Sequence, residues 1–521
     1  MVCEKQHLEV SSKETDNDAD SLVFDDLSPG EMIQVKSYLQ QNLGVPLVDS
    51  TAAEPSDNCI YSIVLQLPPK TEVLKFLDHQ GARPTRQALA VVYFGNQKDP
   101  NVTEYVVGPL PEPAYHQDVT VQKYGGKLPY YRRVQLRKEM DDVNKFLKNE
   151  EFTKAPNFMN QISDYNGTTV VPRGYPPGLK SGERKLWLSH FQNVPGYILH
   201  PIGLEVQVDV SSLDPSQWKV SKAFYNGRYF ENMEDLESQF NQGHVKVVKV
   251  EKAPSDGGYS SLKQRVPHTG PGPLHYEPRG PRYRITNNHV VFMSWSFAFG
   301  MDAYGGPRVF DIRFKGERIV YELSLQEGSS TYGSNSPALM LTRYMDLSYG
   351  LGYHAFTLIQ GIDCPYLATY LDRHYFFDSA LPLTRKNSIC IFEQNSEMPL
   401  RRHFDRAQNP FYGGLVDSVL VFRSISSTDN YDYVWDFMFH QNGAVGVRVY
   451  ASGYIQTAFF FDDASKFGNM VQDWTLGAIH THDINFKVDM DIDVATIALL
   501  CMPSIATSTV ATCSAQQSSA A

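Results

Sequence analysis

Two imidazoles stand two residues apart in His480-Thr481-His482. On an extended strand, residues i and i+2 project to one face, so both rings can grip a single ion. Imidazole donors favour zinc or copper over magnesium. A third ligand completes such a site, and no histidine follows His482. Seven residues after His482, Asp489-Met490-Asp491-Ile492-Asp493 sets three carboxylates at period two. Hard oxygens of this kind suit calcium, and the same spacing also describes a solvated strand face. Asp346 lies within Thr342-Arg-Tyr-Met-Asp-Leu-Ser-Tyr-Gly-Leu-Gly352, a carboxylate among aromatics and glycines. Desolvation there would raise its pKa toward that of a general base, and a turn residue is the plainer reading. Thr428-Asp-Asn-Tyr-Asp-Tyr433 reads as a polar turn running into an aromatic strand. Cys364 and Cys390 flank a Tyr/Phe-rich, hairpin-like stretch and are either a disulfide or two buried thiols.

These residues need a scaffold, and the chain is long enough to supply one. At 521 residues it exceeds one ordinary core, so several domains are expected. Aromatics make up 12% of the chain, with 30 Tyr and 29 Phe, which favours a strand-rich architecture. The net charge of -11 argues against non-specific attraction to nucleic acid or anionic lipid. The N-terminus lacks the apolar core of a signal peptide, and no run approaches the roughly 20 apolar residues that span a bilayer. The six cysteines show no Cys-x-x-Cys spacing. Asn101-Val-Thr and Asn166-Gly-Thr are sequons that would matter only on a secretory path.

In chain order, residues 1–24 form a polar, acidic lead-in. Ser28-Pro29-Gly30-Glu31 then announces a helix, with a capping Ser, Pro at the first position and Glu at the third. Strands are expected at 60–67, 88–94 and 102–107, with a short helix at 71–79. Residues 25–110 thus make one small α/β domain. A second, 111–252, carries a helix at 133–149, strands at 204–210, 218–225 and 245–250, and a helix at 233–240. Residues 253–281 are a Pro/Gly/Ser-rich linker. Residues 282–493 alternate apolar and polar positions, with strands at 292–299, 308–314, 317–326, 444–450 and 484–491. Short strands without intervening helices predict a sandwich of two sheets. The Ala/Ser/Thr-rich residues 494–521 read as an unstructured tail. The fold class is therefore α+β, two small α/β domains followed by a β-sandwich.

Taken together, Asn430-Tyr431-Asp432, Asp346 and His480-x-His482 resemble the copper-containing primary amine oxidases of the vertebrate cell-surface type. Pro55-Ser-Asp-Asn-Cys59, Val106-Val-Gly-Pro-Leu-Pro111, Cys364-Pro-Tyr-Leu-Ala-Thr-Tyr370, Phe392-Glu-Gln-Asn395 and Pro399-Leu-Arg-Arg402 extend the resemblance from about residue 21 to residue 493. It implies oxidative deamination of a primary amine by oxygen to aldehyde, ammonia and hydrogen peroxide. Tyr431 would be the precursor of topaquinone, with Asn430 and Tyr332 holding its ring. Asp346 would be the base that removes the substrate's α-proton, with Tyr344 supporting the substrate. His480 and His482 would be two of three copper ligands. Asp489, the Met490 carbonyl and Asp491 would form part of a calcium site, and Cys364 and Cys390 a disulfide. The resemblance further implies a homodimer, an extracellular or cell-surface location and no nucleic-acid partner.

The family's sequence continues beyond the point matching Asp493, so the expected sandwich is incomplete at its C-terminal end and lacks the third copper histidine. The alternative function is accordingly that of a non-enzymatic isoform acting by adhesion or pairing. Asp429 stands where relatives often place an apolar gate, and is either a receiver for the distal ammonium of a diamine or a turn residue.

Overall fold

The computed structural model describes residues 20–174, 184–258 and 277–491, together with strands Ala498–Cys501 and Thr507–Thr509. The expected linker falls largely outside these residues, as does Asp493.

The first helix forms where its capping signals place it, over Pro29–Asn42. The Ser28 hydroxyl accepts the Glu31 backbone N–H while the Glu31 carboxylate accepts the Ser28 N–H. Its apolar stripe, Met32, Val35 and Leu39, packs on Ile60, Ile63, Ala88, Ala90 and Val92 of the antiparallel strands Asn58–Gln66 and Gln87–Phe94. These strands do not end in a sheet of their own. Asn58–Gln66 also pairs with Thr369–Phe377, so the first unit is continuous with a long sheet of the C-terminal half. Ser21–Phe24, at the end of the expected lead-in, form a helical turn in which Phe24 is buried and stacks on Phe310 at 4.6 Å.

The second unit is a five-stranded antiparallel sheet covered by helices Arg137–Phe146, Pro156–Ser163 and Met233–Asn241. Its core is closed by Phe158, Met159 and Leu236 against Leu186, Leu188, Leu204 and Val206. Strand Val170–Gly174 lies at its edge. The strand expected at 245–250 does not form. There the Val248 N–H bonds the Tyr225 hydroxyl instead of a ladder carbonyl.

Beyond residue 281 two large antiparallel sheets face each other. One runs through Trp295–Asp302, Gly306–Phe314, Glu317–Tyr332 and His480–Met490. The other runs through Thr369–Phe377, Leu383–Arg401, Leu415–Thr428, Tyr431–His440 and Val445–Gly453. Inward aromatics interdigitate between them, with Phe297 stacked on Phe439 at 4.0 Å. Two sequence expectations are corrected. The strand expected over 292–299 is broken by a turn at Met293, whose φ is +52°. The tail read as unstructured contributes strands Ala498–Cys501 and Thr507–Thr509, both paired to His480–Met490. A ladder is made by backbone groups, so an open sheet edge can recruit chain that lacks any side-chain period.

Candidate active site

The site lies between the two sheets, and backbone register explains why its parts meet. In the ladder between Glu317–Tyr332 and His480–Met490, Tyr332 stands opposite His480 and Ser330 opposite His482. From the facing sheet, Thr428 pairs with Tyr431, so Asp429 and Asn430 form the two-residue turn that the polar sequence predicted. Asp429 takes φ +59°, a left-handed conformation that Asp and Asn tolerate best after glycine. Gly453 makes the close approach beside it possible, since a Cβ there would fall 2.1 Å from the Asn430 carbonyl oxygen. That approach lets the Tyr454 N–H donate to the Asn430 carbonyl at 2.7 Å and Asn430 Nδ2 donate to the Tyr454 carbonyl at 2.8 Å.

Tyr431 is held at its hydroxyl. The Gln456 backbone N–H donates to it at 3.1 Å, and its oxygen lies 3.1 Å from His480 Nε2. His480 Nδ1 sits 2.9 Å from the Ala478 carbonyl, which can only accept, so Nδ1 carries the proton and Nε2 presents a lone pair to the phenol. Tyr332 stacks on His480 at 4.7 Å and belongs to the apolar cluster against which Tyr431 packs. Burial first, and then Tyr332, push the Tyr431 hydroxyl well above its ordinary pKa. His482 lies edge-on to Tyr431 at 4.9 Å and 4.9 Å from the His480 ring. Its Nδ1 is 2.6 Å from the Tyr433 hydroxyl, while its buried Nε2 has no hydrogen-bond partner.

Both imidazoles are kept neutral. Burial lowers the pKa of His480, aided by the Arg343 cation. His482 falls to about 3 through burial, then the neighbouring His480, then Arg343. Neutral rings with a fixed tautomer on one and an orphaned Nε2 on the other fit a copper or zinc ion. The described residues hold no group of three His, Cys, Asp or Glu that could complete it.

The other expected residues fall as follows. Asp346 lies in the helical turn Met345–Tyr349, its carboxylate 3.4 Å from the Gly328 N–H, and Tyr344 pairs with Ser329 just before it. Cys364 and Cys390 are joined in a disulfide. Asp489 and Asp491 do not stand open, because the Lys70 ammonium bridges them at 2.7 and 2.9 Å. Met490 lies between them, opposite Val320. Asp429 is not a free anion either, being paired with Arg173 at 3.0 Å. Sequence reasoning missed Arg173, Arg343, Tyr433 and Gln456, and nothing in their local sequence marks them.

Three family models match the chain: the copper amine oxidase enzyme domain over 284–510, the copper amine oxidase N2 domain over 31–116, and a domain of unknown function over 197–266. The bovine lung isozyme of primary amine oxidase is 49% identical over 477 residues, covering 91% of this chain. The chain belongs to the copper amine oxidase family. Human copper-containing amine oxidase 3 is 46% identical over 91% of this chain. This family member spans 62% of the length of each of those two relatives. Among solved structures it resembles the lysyl oxidase of Pichia pastoris, with a TM-score of 0.81 at 26% identity over 94% of this chain and 70% of that one. An Aspergillus nidulans amine oxidase gives 0.77 at 26% identity, over 93% of this chain and 69% of that one.

Proposed function

We propose that this copper amine oxidase chain carries the centre for oxidative deamination of primary amines, with Tyr431 as its cofactor precursor. The observation that carries the reading is the convergence of Tyr431, His480 and His482 between the two sheets, with the His480 Nε2 accepting from the phenol hydroxyl and the His482 Nε2 buried without a partner. His480 and His482 would hold copper through those nitrogens, joined by a further donor from outside the described residues. Copper with oxygen would supply the oxidation of the Tyr431 ring to topaquinone, which accepts two electrons from the amine.

The chain's own residues then position and move protons. Asn430, fastened to Tyr454, fixes the backbone before Tyr431, Gln456 and His480 fix its oxygen, and Tyr332, stacked on His480, flanks the ring. Asp346 takes the substrate's α-proton, and Tyr344 lines the approach beside it. The apolar walls of the sandwich exclude water, which strengthens each of these hydrogen bonds. A calcium ion at Asp489, the Met490 carbonyl and Asp491 has suitable oxygen donors, but it would have to displace Lys70 from both carboxylates.

An extracellular or cell-surface location is supported by the Cys364–Cys390 disulfide. No helix among the described residues is long and apolar enough to cross a membrane. Homodimer formation is supported by exposed Phe404, Phe411 and Tyr412 on a separate two-stranded hairpin and Leu415 and Val416 on the strand that follows it. The domain reading, with boundaries at 110, 252 and 281, is retained as part of this proposal.

The decisive experiment expresses the chain with saturating copper under air and measures visible absorbance and the phenylhydrazine adduct. Colour that Tyr431→Phe abolishes is the expected result. A colourless, folded, copper-saturated protein overturns the reading.

A further inference from the structure

Arg173 lies on edge strand Val170–Gly174 of the second small unit, yet its guanidinium reaches into the catalytic sandwich. It is 7% exposed. The fork reaches the turn and its neighbour together: Nη2 is 3.0 Å from the Asp429 carboxylate, while Nη1 donates to Asn430 Oδ1 at 3.2 Å and to Gln456 Oε1 at 2.5 Å. Those acceptors bracket Tyr431 from two sides. Asp429 and Asn430 are the turn that delivers its backbone, and Gln456 is the residue whose N–H holds its hydroxyl. A planar guanidinium can satisfy such a divergent set, whereas an ammonium is a point charge. The left-handed Asp429 is also the residue that most needs fastening.

We propose that Arg173 is a positioning residue for Tyr431, and that Asp429 is its counter-charge rather than a receiver for a substrate ammonium. The second small unit thereby fixes the orientation of the cofactor precursor across the boundary with the catalytic sandwich. This rests on Tyr431 being that precursor. It predicts that loosening Arg173 misplaces the phenol while the imidazoles, held by their own strand and the Ala478 carbonyl, keep their places.

The test uses the full chain and two readouts. Amide hydrogen exchange is followed in peptides covering 428–433 and 454–457, with 419–422 as an internal control. Arg173→Gln is expected to speed exchange in both site peptides by about tenfold, the loss of one charge-assisted bond, and to leave the control peptide unchanged. Arg173→Lys keeps the charge, loses the fork, and recovers part of that protection. With copper added, copper bound per chain stays at the parent level in Arg173→Gln while the phenylhydrazine-reactive colour forms about tenfold more slowly. A purely structural defect would lower both together. Asp429→Asn, a change at a half-exposed position, is the second variant and loosens the same two peptides. Unchanged exchange there in both Arg173→Gln and Asp429→Asn overturns the proposal. If the parent chain never colours, the enzymatic reading falls, and the exchange measurement still decides whether Arg173 positions Tyr431.

Discussion

His190 and His482 bury the same side chain in the same way, and only one of them belongs to the proposed centre. His190, in the second unit, is 1% exposed, its Nδ1 lies 3.0 Å from the Leu204 carbonyl, and its Nε2 has no partner. His482, in the sandwich, also has an orphaned Nε2. Burial alone brings His190 down to about 4, a shift that the Leu204 carbonyl only moderates. What differs is the company. His190 meets the edge of Phe152, whereas His482 meets a second imidazole and the phenols of Tyr431 and Tyr433. A single unpaired nitrogen is a packing outcome. A functional centre needs several polar atoms aimed at one volume, and among the described residues the proposed centre between the two facing sheets has that convergence.

The sharpest way to break this contrast is to exchange the outcomes of mutating each histidine. His480→Ala or His482→Ala should abolish copper uptake and any copper-dependent colour, whereas His190→Leu should leave copper uptake unchanged, as measured by metal content after desalting. Equal loss in all three would mean that the sandwich pair is no more a site than His190.

His190 has its own signature, in pH. Its folded pKa of about 4 lies below the ordinary 6.5, so between these values the unfolded chain binds the extra proton. Stability from this group is complete above pH 6.5 and is lost as pH falls toward 4, by up to about 3 kcal/mol. Denaturant titrations across that window should show the decline in the parent chain and a flatter profile in His190→Leu.

A smaller effect separates the two through their second nitrogen. Tyr433→Phe removes the hydroxyl at 2.6 Å from His482 Nδ1 and should weaken copper binding by about 10- to 100-fold, read by competition with a chelator. The smallest effect concerns Asp429. Because Arg173 already meets its charge, Asp429→Asn should change the ratio of diamine to monoamine turnover, in a chain that forms the quinone, by no more than about twofold. A large fall in diamine preference would restore the carboxylate as a substrate contact.

Much of the local structure was readable from residues alone. Ser28, Pro29 and Glu31 declare a helix start because their groups act within one turn, and the Asp429-Asn430 turn follows from two side chains that tolerate a reversed backbone. The alternation in 308–314 and 317–326 gave the sandwich. The tail strands at 498–501 and 507–509 were invisible because their pairing is dictated by an open edge on a distant strand. Lys70 between Asp489 and Asp491 was equally hidden, since it arrives from the first unit.

By itself, then, the sequence put forward the residues of the proposed chemistry: the His480/His482 pair and Asp346 from their types and setting, and Tyr431 in its Asn-Tyr-Asp setting through the family resemblance. Their types and spacing act over a few residues, where side-chain direction follows from backbone period. Only the tertiary structure decided what surrounds them. Tyr332 is placed opposite His480 by strand register, and Arg173 reaches Asn430 and Gln456 across 257 and 283 residues of chain. Contacts at such separation leave no local pattern, because they are fixed by the packing of sheets whose positions depend on the whole chain.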